Sequence, residues 1–370
     1  MMTVARRLLL VTAMGLQAAQ AQMPPDPGPR PFSIERLDPA LDALISVHAK
    51  LELLADDFGL TEGPVWVPEG KGYLLFSDLT ANVIYKWDPA GTVSVFLEKA
   101  GYSGSDINNA GTQTRRGRVA VLMIGPNGET LDPQGRLVWC ASPDGTVVRL
   151  ENDHGHLDPN GARTILADKY EGKRFNGPND VVVRSDGTAF FTDSDFGLRG
   201  GRNSPAKELS FNGVFMAKDH HATLLINETN LGGWPNGIAL SPDEKYLYLN
   251  AGFKKVMRYA VNGDGTLGAG AVFFEGGPGI ADGMKTDARG DLYSSGGAGP
   301  GEIRISSPDG KHLGTIHMPI PAGEPKRQIC ATNLAFGDSD GKGLYITACE
   351  ALYKIRVNSP GVIHPPLSQK

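Results

Sequence analysis

One short phrase recurs six times along this chain of 370 residues, and the repeat constrains the fold more than any other feature. Each copy has a polar residue beside Gly, Pro or Asp, then a short apolar strand, a turn of Pro, Asp or Gly, and a second strand. The copies begin 65, 52, 57, 46 and 51 residues apart. Periods of this length, with several strands per unit, are typical of β-propeller blades. The polar residues that begin the six copies are Glu62, Asn127, Asn179, Asn236, Asp282 and Asn333.

The segments between the turns indicate strands rather than helices. Residues 181–193 read VVVRSDGTAFFTD and residues 238–250 read IALSPDEKYLYLN, which are short apolar runs interrupted by turn residues. Gly (48) and Pro (26) together form a fifth of the chain, and this content favours many turns. We therefore predict an all-β fold, a six-bladed β-propeller. A two-sheet sandwich or two small β-domains are the alternatives, but neither explains six equivalent beginnings.

The chain begins as an exported protein does. Two arginines precede an apolar stretch from Leu8 to about Ala19, which is too short to span a bilayer, and a small-x-small cleavage site follows at 19–21. We expect a mature start near Gln22 and a secreted or periplasmic location. The predicted organisation is a signal peptide at 1–21, a Pro-rich leader at 22–50 packing outside the main domain, the propeller at 51–358 and a C-terminal tail at 359–370. The last unit lacks an obvious fourth strand, and residues 50–58 are predicted to supply it and close the ring.

Charge and cysteine content narrow the partners and the compartment. The net charge of −5, without a basic run, argues against a nucleic-acid partner, and no later segment is apolar enough to cross a membrane. The expected partner is a small molecule, and the chain is expected to be a monomer or dimer. Cys330 opens one strand-like run and Cys349 closes the next, so hairpin pairing favours a disulfide between them in an oxidising compartment. Cys140 would then be an unpaired, buried thiol.

The six polar residues that begin the repeat units, called here the polar beginnings, predict a metal site. The innermost strands of a propeller run along the channel in one direction, so the residues that precede them gather at one mouth. Facing carboxylates without a partner are costly, and a hard divalent cation resolves this cost. The ring offers oxygen ligands and no His or Cys, which favours calcium, with Mg²⁺, Mn²⁺ or Zn²⁺ as alternatives. The six polar residues of this ring are therefore the candidate ligands.

Several segments resemble the SMP-30/gluconolactonase family. They are Glu62-Gly63-Pro64-Val65-Trp66, Arg174-Phe175-Asn176-Gly177-Pro178-Asn179-Asp180, Asn236-Gly237-Ile238, Asp282-Gly283-Met284, and Phe336-Gly337 with Leu344-Tyr345-Ile346-Thr347. The resemblance covers roughly residues 55 to 355. It implies a six-bladed propeller with a metal held by Glu62, Asn236 and Asp282, with Asn179 as ligand or substrate contact, and lactone hydrolysis as the commonest activity. On this basis the predicted metal ligands are Glu62, Asn179, Asn236 and Asp282.

These observations predict a metal-dependent lactonase. The metal would polarise the lactone carbonyl, and Asp282 would serve as the base for water or as a nucleophile. Predicted substrate contacts are Asn127, Arg174, Asp180 and Asn333. The alternatives are an organophosphate triesterase on the same metal site, a metal-free condensing propeller of the strictosidine-synthase type, and a binding propeller without catalysis. The chain lacks G-x-S-x-G and H-E-x-x-H motifs, which argues against a serine hydrolase and a zinc peptidase.

Overall fold

A computed structural model of the protein describes residues 29–115, 119–152, 155–252, 255–276, 282–296, 301–320 and 330–362. The predicted signal peptide, residues 22–28 of the leader and residues 363–370 of the tail lie outside these ranges. The described helices are short, and none of them is long enough to cross a membrane. They are the α-helix α1 (Glu228–Leu231) and 3-10 helices at Pro39–Ala43, Ile107–Asn109, Ser142–Asp144, Asp195–Gly197 and Gly201–Asn203.

Strands account for most of the described chain. The first fourteen are β1 (Ser33–Arg36), β2 (Leu51–Val67), β3 (Tyr73–Asp78), β4 (Val83–Trp87), β5 (Val93–Glu98), β6 (Gly111–Arg115), β7 (Val119–Met123), β8 (Glu129–Leu131), β9 (Leu137–Ala141), β10 (Thr146–Leu150), β11 (Arg163–Ala167), β12 (Lys169–Tyr170), β13 (Lys173–Arg174) and β14 (Pro178–Val183). The others are β15 (Ala189–Asp193), β16 (Gly213–Lys218), β17 (His221–Asn227), β18 (Pro235–Leu240), β19 (Tyr246–Ala251), β20 (Lys255–Val261), β21 (Leu267–Glu275), β22 (Met284–Thr286), β23 (Leu292–Ser295), β24 (Glu302–Ser306), β25 (His312–His317), β26 (Asn333–Gly337) and β27 (Gly343–Arg356).

The strands form antiparallel sheets in chain order. Strands β8–β11, β14–β17 and β18–β21 each make a four-stranded sheet, and β22–β25 make another to which β1 of the leader adds at the outer edge. Hairpins β6–β7 and β12–β13 stand apart as two-stranded sheets. Apart from the β1–β25 and β27–β2 pairings, the strands paired within the large sheets are neighbours in sequence, because short turns join them. The result is a propeller-like arrangement of sheets, as the repeat predicts.

Strand β2 links the beginning of the domain to its end. Its first part, from Leu51 to Asp56, pairs with Ala351–Ile355 of β27, while its second part, from Thr61 to Val67, pairs with β3. The first part of β27 in turn pairs with β26. The six strands β26-β27-β2-β3-β4-β5 therefore form one continuous sheet, and residues 51–56 supply the strand that was expected from the segment 50–58.

The hydrophobic core lies between neighbouring sheets rather than at one centre. Successive clusters join β2–β5 to β8–β11, β8–β11 to β14–β17, β14–β17 to β18–β21, and β18–β21 to β22–β25. Two further clusters join β22–β25 to β26–β27 and β26–β27 back to β2–β4. Alternate residues of one strand serve different clusters: Trp139 faces one and Val138 the other. Burial on both faces explains the continuous apolar runs in the sequence.

The two ends of the chain and the cysteines complete the packing. Leu41 and Leu44 of the leader are fully buried against β22–β25 and β26–β27. Gly361, in the predicted tail, forms a bridge with Asp287. Cys330 and Cys349 form a disulfide with Cα atoms 5.3 Å apart, in agreement with the predicted pairing, and Cys140 is a buried free thiol.

Candidate metal and active site at the channel mouth

The six repeat units bring their first strands around one axis. A cavity of about 50 Å³ is lined by residues from β2, β8, β14, β18, β22 and β26, which are the first strands of the six units. One lining residue from each strand is Val65, Thr130, Val182, Ala239, Thr286 and Ala335. Each of these lies two to four residues after a polar beginning, so the polar beginnings lie toward one end of the shared axis.

Backbone irregularities aim the polar side chains at that end. The register of β2 with β3 shifts between Glu62 and Val65, and the corresponding pairs of β14 and β18 shift at the same place, just after Pro178 and Pro235. A bulge bends a strand and re-aims a side chain, and bulges are frequent beside active sites. The same local device therefore recurs at three of the six beginnings, those that hold Glu62, Asn179 and Asn236.

Glycines after the polar beginnings allow the strands to approach each other closely. A Cβ at Gly237 would overlap the backbone carbonyl oxygen of Asp282, and a Cβ at Gly283 would overlap the side chain of Asn333. A glycine is therefore required at both positions by close approach of the next strand. Hydroxyl groups add bridges between units: Thr192 Oγ1 donates to the carbonyl of Asn236 at 2.7 Å, and Ser295 Oγ to that of Thr332 at 2.6 Å.

Three carboxylates share the mouth. Burial, followed by the charge of Asp180, raises the pKa of Glu62 to about 7. Burial raises the pKa of Asp282 well above its ordinary value, and the charges of Glu62 and Asp180 add to the effect. Burial also raises the pKa of Asp180, although Lys285 and the amides of Val181 and Ile238 oppose it. The structure thus brings Glu62 and Asp282 into one electrostatic group, and adds Asp180 to it.

Two asparagine side chains of the mouth each hydrogen-bond one of the carboxylates. Asn236 is buried and its side chain hydrogen-bonds Asp282. The Asn333 amide is engaged within the protein: Nδ2 donates to Glu62 Oε2 at 3.0 Å, and Oδ1 accepts from the backbone amide of Leu334 at 2.8 Å. Asn333 therefore orients Glu62, and its role as a substrate contact stays a prediction.

Asn127 and Asn179 are buried at neighbouring beginnings, where their backbone groups link the sheets. The carbonyl of Asn179 accepts from the amide of Gly128 at 2.8 Å, and the carbonyl of Asn127 accepts from Ser77 Oγ at 2.7 Å. Asp193, at the end of β15, holds the segment before Asn179 by accepting from the amide of Gly177 at 2.7 Å. The position of Asn179 is therefore set by backbone contacts on both sides.

Arg174 and Asp180, both predicted as substrate contacts, have different surroundings. The Arg174 guanidinium donates to the carbonyls of Pro143 and Asp144, and so it braces a loop instead of joining the carboxylates. Asp180 is buried, and its carboxylate accepts from the amides of Val181 at 2.9 Å and Ile238 at 3.3 Å. Asp180 belongs to the mouth, but its oxygens are partly engaged by the backbone.

Sequence reasoning missed two charged residues on the axis. Lys285 Nζ lies 3.5 Å from Asn333 Oδ1 and also lines the cavity. Glu129, on β8, is buried; Ser77 Oγ donates to its Oε1 at 2.6 Å, and burial raises its pKa well above the ordinary value. Glu129 lies two residues after Asn127, and Lys285 lies three residues after Asp282, so both lie deeper along the channel than the polar beginnings. The signal that could have found them is a charged residue inside an apolar first strand.

The carboxylates and amides at the channel mouth are suited to a cation that binds oxygen ligands. Within the described ranges no three His, Cys, Asp or Glu side chains are arranged as a complete metal-ligand group. The predicted ligands are two carboxylates and two amides, and Ca²⁺ uses such mixed oxygen sets together with water. Burial and mutual repulsion raise the pKa values of Glu62 and Asp282, so their ionised forms are costly, and a bound cation would reduce this cost.

Fold and site together define a propeller-type protein with a polar, carboxylate-rich channel mouth. The family model described as the SMP-30/gluconolactonase/LRE-like region matches residues 60–350. The chain belongs to this family. It is 35% identical over 341 residues to a gluconolactonase from Zymomonas mobilis, with 89% of this chain and 87% of the relative covered.

Two further relatives show how widely the likeness extends. A pentonolactonase from Haloferax volcanii is 26% identical, with 78% of this chain and 81% of the relative covered. The solved structure of a gluconolactonase from Xanthomonas campestris is 28% identical and superposes with a TM-score of 0.67, covering 89% of this chain and 98% of that one. These alignments span nearly the whole length of the proteins compared.

Proposed function

We propose that this protein is a metal-dependent lactonase that opens a cyclic ester at the channel mouth. The observation that carries the proposal is the electrostatic group of the buried Glu62 and the partly buried Asp282, two carboxylates that act on each other; Asn236 hydrogen-bonds Asp282. Perturbed carboxylates in a cleft are typical of functional sites. The likeness to gluconolactonase and pentonolactonase supports a lactone, of a sugar acid, as the substrate.

The residues that would hold the cation are Glu62, Asn179, Asn236 and Asp282. Asn333 keeps Glu62 in place through its 3.0 Å hydrogen bond, and Asn236 does the same for Asp282. When bound, the cation would supply a Lewis acid that polarises the lactone carbonyl. Calcium is our choice because the ligands are oxygens from carboxylates and amides. A regucalcin from Xenopus laevis, 24% identical, belongs among the relatives.

Asp282 is proposed as the general base. One carboxylate oxygen would accept a proton from a water molecule while the water oxygen forms a bond to the lactone carbonyl carbon. The ring C–O bond then breaks, and the proton held by Asp282 passes to the departing ring oxygen, which gives an open hydroxy acid. Asn127 and Asp180 are proposed to contact hydroxyl groups of the substrate, since both lie at the same end of the axis.

The test is hydrolysis of sugar-derived, aliphatic and aromatic lactones by chelated protein and by protein reloaded with Ca²⁺, Mn²⁺, Mg²⁺ or Zn²⁺. We expect turnover of sugar lactones that chelation abolishes and one of the ions restores. Equal activity in chelated and reloaded protein would remove the metal from the mechanism. An organophosphate triester in the same panel tests the alternative hydrolase. Absence of turnover on every substrate would favour a binding propeller.

We further propose that the sheets form six blades, with the six-stranded sheet divided within β2. Six clusters that join successive sheets in a closed cycle support this count. A crystal structure checks it directly. Export is proposed from residues 1–21 and is supported by the Cys330–Cys349 disulfide, since disulfides persist in oxidising compartments. A mature chain that begins near Gln22, measured by mass spectrometry, is the expected result.

A further inference from the structure

Lys285 is a cation at the base of a group of acids. It lies on β22, three residues after Asp282, and lines the cavity below the mouth. Its Nζ is 3.5 Å from Asn333 Oδ1, and Asn333 Nδ2 is 3.0 Å from Glu62 Oε2. A single short chain of contacts therefore runs from the ammonium to a predicted metal ligand.

The orientation of the Asn333 amide is fixed by its partners. Its Oδ1 accepts from the backbone amide of Leu334, which can only donate, and its Nδ2 faces a Glu62 carboxylate, which can accept. The Lys285 ammonium can only donate, and so it matches the oxygen side of the same amide. Lys285 thus fits its place both as a hydrogen-bond donor and as a positive charge.

The charge count of the mouth leaves one negative charge to balance. Glu62, Asp180 and Asp282 carry three negative charges when ionised, and a divalent cation balances two of them. Among the basic side chains of the described residues, Lys285 has the strongest effect on the pKa of both Glu62 and Asp180, and it lowers both values. Glu129 lies deeper on the axis, and burial raises the pKa of this carboxyl well above its ordinary value, which favours its uncharged form.

We propose that Lys285 is a positioning residue that serves as the fixed counter-charge of the mouth, balancing the third carboxylate when a divalent cation is bound. The inference rests on the proposed metal site. It makes Lys285 a determinant of ion selectivity: with the lysine, a divalent ion neutralises the group, and without it a trivalent ion does so. Lys285 contacts neither the cation nor the substrate in this account.

The test is competitive titration of Ca²⁺ and Tb³⁺ against a chelating dye at pH 8. Lys285→Met is expected to raise the ratio of Tb³⁺ to Ca²⁺ affinity by about tenfold or more relative to wild type, because one positive charge is lost beside the Asn333 amide that holds Glu62. Lys285→Arg should retain the wild-type ratio. Lys169→Met, which removes a lysine from the exposed β12, is the matched control and should change nothing.

Lys285→Gln separates charge from hydrogen bonding, and it also serves if the methionine variant does not fold. The glutamine keeps a donor for Asn333 but carries no charge, so its ion selectivity should match that of Lys285→Met. A glutamine variant with the wild-type ratio would overturn the proposal, as would a methionine variant with that ratio.

A readout without metal separates this inference from the lactonase proposal. In EDTA at pH 8, Lys285→Gln should unfold several degrees lower than wild type, since Glu62 and Asp180 then lack the positive charge that lowers their pKa values, while Lys169→Met should not. An equal melting temperature for Lys285→Gln and wild type would contradict the counter-charge role. If wild type hydrolyses no lactone but these shifts occur, the proposed function fails and the role of Lys285 stands.

Discussion

Two acidic residues of the turns and two of the channel mouth have opposite surroundings. In the turns, Asp186 pairs with Arg184 at 2.5 Å and Asp340 with Arg356 at 2.6 Å. Arg184 lowers the pKa of Asp186, and Arg356 lowers that of Asp340 to about 2. At the mouth, burial instead raises the pKa values of Glu62 and Asp282. Burial alone does not mark the mouth, because it also raises the pKa of Asp291, in the turn before β23, to about 6. At the mouth the charge of Asp180 also raises the pKa of Glu62, and the charges of Glu62 and Asp180 raise that of Asp282; such groups of acids are candidates for a ligand site.

The largest expected effect comes from removing the proposed base. Asp282→Asn should lower kcat for lactone hydrolysis by about 10²–10⁴-fold, because the amide cannot accept the proton of water. The fold should persist, since the change is nearly isosteric. Steady-state kinetics and circular dichroism check both points, with the turn variant Asp264→Asn as control. Wild-type kcat in Asp282→Asn would reject Asp282 as the base and weaken the contrast between mouth and turns.

Close packing at the mouth gives the next effect. Gly237→Ala places a Cβ against the carbonyl oxygen of Asp282, and we expect a loss of roughly 2–4 kcal/mol in the free energy of unfolding. Gly263→Ala is the matched control, because a Cβ there meets no atom within 4 Å. Urea denaturation of both variants provides the comparison. Equal stability of the two variants would show that the strands at the mouth are not in close contact.

The pH dependence of stability tests the raised pKa of Glu62. A carboxyl whose folded pKa is raised stabilises the fold below its ordinary value of 4.5, and this contribution is lost as the pH rises through about 7. In EDTA, the free energy of unfolding should therefore fall between pH 4.5 and 8, by on the order of 1–3 kcal/mol from this group. Added Ca²⁺ should remove much of the loss, and Glu62→Gln should lack it. A pH profile in EDTA that is the same for wild type and Glu62→Gln would count against burial as the cause.

The smallest effect is expected at the turns. Arg356→Gln removes the partner of Asp340, but both side chains are about half exposed, so we expect a loss of only about 0.5 kcal/mol. Thermal unfolding at low and high salt measures it, and salt should reduce the difference further. A loss as large as that of Gly237→Ala would mean that the turn ion pairs also hold the fold together.

The repeat allowed much of this to be predicted from sequence, for a physical reason. Equivalent positions in repeated units occupy equivalent places around an axis, so Glu62, Asn236 and Asp282 could be grouped without coordinates. The pairing of residues 51–56 with the end of the chain followed from a missing strand. The disulfide between Cys330 and Cys349 was predicted from hairpin pairing.

The interior of the channel was harder to predict. Lys285 was missed because alternation assigns a side chain to a face only once the register is known, and bulges at neighbouring beginnings shift that register. Asn333 and Arg174 were given substrate roles, yet one amide is engaged by Glu62 and the guanidinium by loop carbonyls. Polar side chains of equal chemistry differ in function according to which backbone groups lie nearby, and a repeat does not contain that information.

The central claim is that a cation completes the acids of the mouth. Crystals of chelated protein soaked in Mn²⁺ or Tb³⁺ would test it through anomalous scattering. We predict one strong peak within bonding distance of Glu62, Asn236 and Asp282. A strong peak elsewhere with none at these residues, at ion concentrations that restore activity, would contradict the account.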